Sequence, residues 1–312
     1  MQNLKVCFTG VGSIARRHIR NLSEICDKRG VELSIDAFRR KPGTDNSMGF
    51  DHVYCDIESV PSDYDVIFIT NPTSMHLETL SKFHEKGKHF FIEKPVVSID
   101  QTEEAAGFQI REESVYYIAC PLRYNAVIQY LKNNVAFDDV ISIRSISSSY
   151  LPDWRPGTDY RDTYSAHKEM GGGVSIDLIH EWDYITYLFG LPENVKSFSG
   201  KKSKLEIDSD DYAIYIAEYK DKIAELHLDY FGRKTIRELQ LFTNNETIIG
   251  DIVNNTVHYL CSGNTIRFDE ARDDFQKREL NHFLDLIYGE KDMSAGFTNA
   301  LRILDLTQGI IN

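Results

Sequence analysis

Short apolar runs alternate with amphipathic stretches through the first 120 residues. Leu4–Thr9 reads as a strand, Ser13–Lys28 as a helix stopped by Gly30, and Val31–Phe38 as a second strand. Val66–Thr70, His89–Ile92 and Val115–Ala119 continue the strand pattern. Helices are predicted between them, one over Thr73–Glu85 and one from Asp100 to about Glu113 with Asp100 and Glu103 as a capping box. Such alternation implies βαβ units with right-handed crossovers, hence an α/β chain opening with a doubly wound parallel sheet. After Pro121 the period changes. Val140–Ser149 alternates apolar and polar side chains, a tract rich in Tyr, Asp and Arg runs from Tyr150 to Lys168, and a single helix is expected over Ser175–Phe189. Strands are expected at Tyr212–Tyr219, Ile223–Tyr230, Glu238–Thr243, Thr247–Ile252 and Thr256–Leu260, with turns at Asp221-Lys222, Asn244-Asn245 and Asn254-Asn255. Consecutive hairpins of this kind predict a largely antiparallel sheet, closed by helices near Phe275–Tyr288 and Ala295–Gly309. The division expected is a Rossmann domain over residues 1–121 and an α+β domain over 122–312.

Composition narrows the function classes. Forty-eight acidic against 35 basic residues leave a net charge of −13, a surface that repels nucleic-acid phosphates. Apolar runs such as Val66–Ile69 fall far short of a membrane span, and a strand beginning within the first five residues leaves no room for a signal peptide. The five cysteines are scattered without metal-ligand spacing, which fits reduced thiols in a cytoplasmic protein and no metal site.

Gly10-Val11-Gly12-Ser13-Ile14-Ala15 follows the first strand and opens the first helix, the context a dinucleotide fingerprint requires. Gly10 allows the tight turn, and Gly12 lets the N–H groups of Ser13 and Ile14 approach a pyrophosphate at the helix N-terminus. In such sheets an acid at the end of the second strand binds the adenosine ribose of NAD. Here Phe38 holds that place and Arg39-Arg40 follow, which suits the 2′-phosphate of NADP; NAD remains the alternative, with Asp36 on the ribose if the register differs by two. Glu93-Lys94-Pro95 sits after a strand end, where Lys94 is placed to stabilise negative charge on a substrate oxygen. Thr70-Asn71-Pro72-Thr73 and His76 lie at another strand end and are candidates for the nicotinamide side. Gly171-Gly172-Gly173 precedes the stretch in which Asp177, His180 and Glu181 share one face of the expected helix, with His180 as a proton carrier.

Taken together, Gly10–Ala15, Thr70–His76, Glu93-Lys94-Pro95, Arg123-Tyr124-Asn125 and Gly171–Gly190 resemble, in order and along the whole chain, the glucose–fructose oxidoreductase / inositol 2-dehydrogenase / MocA family of NAD(P)-dependent oxidoreductases. The resemblance implies that Lys94 touches substrate and nicotinamide ribose, that His180 donates or accepts the proton, and that Asp177 supports it. The commoner family spacing of aspartate to histidine is four, and here it is three. His180-Glu181-Trp182-Asp183-Tyr184 looks like a branch associated with surface-polysaccharide sugar synthesis. The resemblance also implies cofactor contacts from Glu93 and Arg123, substrate contacts from Asn125, and a second-domain sheet used for pairing into a homodimer or homotetramer. Tyr215, Glu218, Leu226, Leu228 and Tyr230 lie on strands expected to form that sheet face. Substrate recognition then falls to the tract holding Tyr150, Trp154, Arg155, Tyr160, Arg161 and Tyr164, whose rings suit sugar C–H faces and whose guanidinium groups suit carboxylate or phosphate. The expected function is hydride transfer between nicotinamide and a carbinol or ketone of a sugar or sugar-nucleotide. A cofactor-retaining glycosidase or epimerase, or a catalytically silent NADP sensor, are the alternatives.

Overall fold

A computed structural model describes residues 2–40, 49–289 and 296–311. Among them the chain forms a six-stranded and an eight-stranded sheet in two compact units: residues 1–119 with 276–301, and 120–275 with 302–312.

The first unit runs β1 (Gln2–Thr9), α1 (Ser13–Arg29), β2 (Val31–Phe38), β3 (His52–Tyr54), β4 (Tyr64–Ile69), α2 (His76–Phe83), β5 (Gly87–Ile92), α3 (Thr102–Ala106) and β6 (Tyr116–Ile118). Its strands are all parallel in the order β3-β2-β1-β4-β5-β6, the doubly wound sheet expected. Leu4, Val6, Cys7 and Phe8 are all buried, as befits a central strand covered on both faces. In α1 the buried stripe Ala15, His18, Ile19, Leu22, Ile25, Cys26 follows helical spacing. The helix ends on Gly30 in the left-handed region, with Lys28 and Arg29 at its negative pole. Two expected helices are shorter than their patterns suggested. Thr73–Met75 is a turn of 3-10 helix ahead of α2, and α3 stops at Ala106 because Gly107 follows. The capping box there is Ser98/Gln101 in place of Asp100/Glu103: Gln101 Oε1 accepts from Ser98 N (3.4 Å) and Oγ (2.8 Å).

One interaction sets the height of the strands. Phe8, Phe68, Phe91 and Tyr117 are register partners across β1, β4, β5 and β6, and their rings follow one another at 4.4, 5.1 and 5.3 Å. Phe283 of a later helix packs against three of these rings, at 6.2 Å from Phe68, 5.2 Å from Phe91 and 5.5 Å from Tyr117. Residues 276–301, assigned by sequence to the second domain, therefore group with the first unit.

The second unit runs α4 (Ala126–Asn134), β7 (Val140–Tyr150), α5 (Val174–Asp177), α6 (His180–Phe189), β8 (Asn194–Gly200), β9 (Tyr212–Glu218), β10 (Ile223–Asp229), β11 (Phe231–Thr243), β12 (Thr247–Asp251), β13 (Thr256–Tyr259) and β14 (Thr265–Arg267). Two last helices close the chain: α7 (Asp274–Ile287), nearly all of which groups with the first unit, and α8 (Phe297–Leu306), divided between the two at Leu301. Ala295, where the last helix was expected to start, lies outside the described residues. The sheet order is β14-β13-β12-β11-β7-β10-β9-β8, antiparallel except between β7 and β10. One face is covered, and Trp182 of α6 packs edge-on to Tyr215 at 5.3 Å. Tyr215, Leu226, Leu228 and Tyr230 are fully buried on this unit. The exposed apolar residues of the sheet are instead Ile141, Phe198, Ile216, Ile223 and Ile236, because side chains alternate and these occupy the opposite pleat.

Removing the Phe283 ring should leave a cavity against the aromatic ladder. Phe283→Ala is expected to cost about 3–5 kcal/mol, read by denaturant unfolding; an unchanged midpoint would show that the ladder stands without it.

Candidate functional site

Gly10 takes φ +88°, and a Cβ there would lie 2.8–2.9 Å from Asn71 backbone and Cβ atoms, so no side chain fits. Its N–H donates to Phe38 O (3.1 Å), and Thr70 Oγ1 donates to Gly10 O (2.8 Å), binding the ends of β1, β2 and β4 into one edge. Gly12 is the N-cap of α1, with open space around its Cβ position, no side-chain cap and no acid in the first turn. Ser13 is exposed and Ile14 half-buried. These first-turn N–H groups, unopposed by a carboxylate, fit a pyrophosphate.

At the end of β2, Asp36 is turned into the core. It accepts from Tyr64 Oη (2.7 Å) and His52 N (2.9 Å), so its carboxylate is already held by two partners within the sheet. Phe38 packs edge-on to Phe83 at 5.2 Å. The Arg39 guanidinium lies over Phe50 at 5.3 Å with a buried Nε that has no partner, and the exposed Arg40 reaches Met75 Sδ at 3.0 Å.

Past β4 and β5 the turns are pinned from beneath. Pro72 leads into the Thr73–Met75 turn, and Asn71 Nδ2 donates to Thr79 Oγ1 (2.6 Å). His76, read from sequence as lining the nicotinamide side, is 2% exposed: Nδ1 lies 3.0 Å from Pro95 O, and Nε2 lies 3.0 Å from Asn71 O. Burial pushes its pKa down. Glu93 Oε1 sits 2.6 Å from His18 Nε2. Burial pushes the Glu93 carboxyl up, but the hydrogen bond from His18 and the charges of His18 and Lys94 hold it below its ordinary range. Lys94 is half-buried and precedes a cis Pro95. His18 escaped the sequence reading because it shares the stripe of Ala15 and Leu22, where a core ring is the ordinary expectation.

In the second unit the expected Ser175–Phe189 helix is two helices, α5 and α6, parted at Leu178-Ile179. Asp177 and His180 thus do not share one continuous helical face; Asp177 ends the first piece and the half-buried His180 begins the second. The triple glycine is a packing device. A Cβ on Gly172 would strike Tyr164 O and one on Gly173, at φ +133°, would strike Asp210 Oδ1. Asp210 Oδ2 accepts from Ser175 N (2.9 Å), and burial pushes its pKa up. Asp177 accepts from Tyr230 Oη at 2.5 Å, and burial followed by the charge of Asp177 drives both Tyr164 and Tyr230 upward. Trp154 stands edge-on to Tyr230 at 5.2 Å, its Nε1 donating to Ser149 Oγ (2.9 Å), and Arg155 lies over Tyr164 at 5.3 Å. Trp154, Arg155, Asp177, Tyr164 and Tyr230 are therefore one cluster, and Tyr230 is the member that sequence assigned elsewhere. Tyr160 Oη accepts from Glu206 N (3.1 Å), whereas Arg161 is held by Asp159 and Glu206. Arg123 is 2% exposed and forks onto Asp183 at 2.9 and 2.7 Å. Asn125 caps α4 through Val127 N (3.0 Å) and donates to Glu270 Oε2 (2.5 Å). Glu181, wholly buried, pairs with Arg237 at 2.6 Å.

No helix among the described residues is long and apolar enough to cross a membrane, and none of their His, Cys, Asp or Glu side chains cluster as a metal site. The family profile described as "Oxidoreductase family, NAD-binding Rossmann fold" matches residues 4–118, and the "GFO/IDH/MocA C-terminal domain" profile matches residues 128–259. Among curated proteins, an uncharacterised oxidoreductase of Bacillus subtilis is 28% identical over 193 residues, 58% of this chain and 52% of that protein. Levoglucosan dehydrogenase of Pseudarthrobacter phenanthrenivorans is 24% identical over 210 residues, 61% of this chain and 52% of that protein. These alignments span about half the length of the curated relatives. Among solved structures, UDP-N-acetylglucosamine 3-dehydrogenase from Acidithiobacillus ferrooxidans superposes with a TM-score of 0.79 at 20% identity, over 99% of this chain and 96% of that one. A levoglucosan dehydrogenase in complex with NADH and levoglucosan superposes with a TM-score of 0.84 at 16% identity, over the same shares of the two chains. With the nucleotide-binding sheet and the second sheet each matched by the corresponding profile, the chain belongs to the GFO/IDH/MocA family of oxidoreductases.

Proposed function

We propose that the chain is an NADP-preferring dehydrogenase or reductase acting on a carbinol or ketone carbon of a sugar or sugar-nucleotide. The observation that carries this reading is the uncapped, acid-free start of α1 beside a strand edge from which Lys94 also departs. Family members whose names state a substrate act on levoglucosan and D-xylose, and a structural neighbour on UDP-N-acetylglucosamine, all carriers of secondary alcohols. The bound nicotinamide supplies or takes up hydride. Gly10, Gly12, Ser13 and Ile14 would hold the pyrophosphate, with Thr70, Asn71 and Pro72 shaping the turn beyond it. Lys94 would stabilise negative charge developing on the substrate oxygen, and His180 would exchange the hydroxyl proton. Trp154, Arg155 and Tyr160 would receive the sugar, with Asp177 ordering the aromatic cluster through Tyr230. A screen of sugars, inositols and sugar-nucleotides, followed by absorbance of the reduced cofactor, tests the reading. A panel that produced no stoichiometric change in the cofactor would overturn it. A cytoplasmic setting accords with five cysteines, none of them in a disulfide.

NADP preference rests on Arg39 and Arg40 where an acid would mark NAD, with Asp36 committed to Tyr64 and His52. Replacing both arginines by serine should weaken NADP binding by about 1.5–3 kcal/mol and NAD binding far less. Calorimetry in which the unmodified protein binds NAD more tightly would refute the preference.

His180→Ala should leave NADP affinity nearly intact, lower turnover about 10²- to 10⁴-fold, and remove the near-neutral limb of the pH profile. Wild-type turnover and an unchanged profile in that variant would exclude His180 as the proton carrier.

Self-association into a homodimer or homotetramer is proposed through the uncovered face of the eight-stranded sheet, where Phe198 is 67% and Ile216 45% exposed. Light scattering should report more than the 35.9 kDa chain, and Ile216→Glu should shift it toward that mass. A single-chain mass at micromolar concentration would rule the proposal out.

A further inference from the structure

The turn that carries Lys94 is gripped at both ends by a buried histidine. At its start, Glu93 N donates to Ile69 O (3.0 Å) and the Glu93 carboxylate meets His18 Nε2 at 2.6 Å. At its finish, His76 Nδ1 lies 3.0 Å from Pro95 O and 3.2 Å from Val96 O, while Nε2 of the same ring faces Asn71 O. His18 comes from α1, the helix whose N-terminus meets the pyrophosphate in the reading above, and His76 from α2.

His18 is not where packing alone would place a polar ring. It is 1% exposed, edge-on to Phe91 at 5.0 Å and tilted on Phe68 at 6.3 Å, against the aromatic ladder. Its Nδ1 is buried with no partner, so the ring's hydrogen bonding rests on Nε2, which donates to Glu93. A leucine would fill that space without desolvating an imidazole and a carboxylate. What leucine lacks is a directional bond to the residue beside Lys94.

We propose that His18 is a positioning residue for Lys94: its hydrogen bond to Glu93 fixes the leading end of the turn, as His76 fixes the trailing end, and ties the lysine to the cofactor-binding helix. The functional weight of this rests on the role assigned to Lys94, so the test reads the lysine itself and not turnover. Reductive methylation with ¹³C-formaldehyde labels the lysines, and loss of one signal in Lys94→Arg identifies Lys94. Its signal is then recorded with and without NADP. His18→Leu should displace the Lys94 signal and abolish its NADP-induced change. His18→Gln, whose side-chain amide offers an N–H near the place of Nε2, should restore both. If His18→Leu does not fold, His18→Asn, whose shorter amide falls short of Glu93, is read in its place. A folded His18 variant with the wild-type Lys94 signal and NADP response would overturn the proposal. So would equal effects of leucine and glutamine, since the hydrogen bond would then not be what matters. Failure of the Lys94 role shows separately, as retained turnover in Lys94→Ala.

Discussion

The row of rings Phe8, Phe68, Phe91 and Tyr117 is the constraint on which the first unit depends. Because each ring is the register partner of the next, stacking levels four strands against one another. Two residues beyond the first three rings the chain leaves the sheet at Gly10, Thr70 and Glu93. The turn opened by Gly10, the turn pinned by Asn71 and the turn bearing Lys94 thus begin at one height, where hydrogen bonds between the strand ends then fasten them. Slippage of one strand by a single residue would turn its ring to the other face of the sheet and displace its turn together.

The second unit uses charge where the first uses rings. Its α6 presents Glu181 and Asp183, and each meets an arginine from elsewhere in the same unit, Arg237 and Arg123. Pairs so buried add little net stability over apolar neighbours, but losing one partner leaves an uncompensated charge, so they hold the helix to one placement. His180 opens that helix. The preceding piece, α5, is placed differently, by two glycines that admit the Tyr164 carbonyl and the Asp210 carboxylate. The break at Leu178-Ile179 lets the two pieces obey separate demands.

Much of the first unit was legible because its signals are local. Val31–Phe38 alternates into its strand and Ser13–Arg29 carries its own stop signal, so both appear where periodicity puts them. The fingerprint glycines were legible for the same reason. Features decided by distant partners were not. The sequence does not show that Asp36 is held by Tyr64 and His52, or that Arg123 and Asn125 bond to Asp183 and Glu270, 60 and 145 positions away. Period two is visible in β9 and β10 but does not say which face is inside, so the burial of Tyr215 and Leu226 had to come from the structure. His18 was hidden by its own conformity to the apolar stripe.

Phe283 carries a consequence for the order in which the protein can be made. The ring that closes over the ladder is encoded long after the strands it covers, and β7 must wait for β10 across the segment holding Trp154, Asp177 and His180. An emerging chain therefore displays an unfinished nucleotide-binding sheet for most of its synthesis, with Phe68 and Phe91 lacking their last cover. The first unit cannot reach its final packing until residues near 283 have left the ribosome, and the second waits for residues 302–312, among them Thr307, whose carbonyl accepts from Tyr215 Oη, so both units mature late.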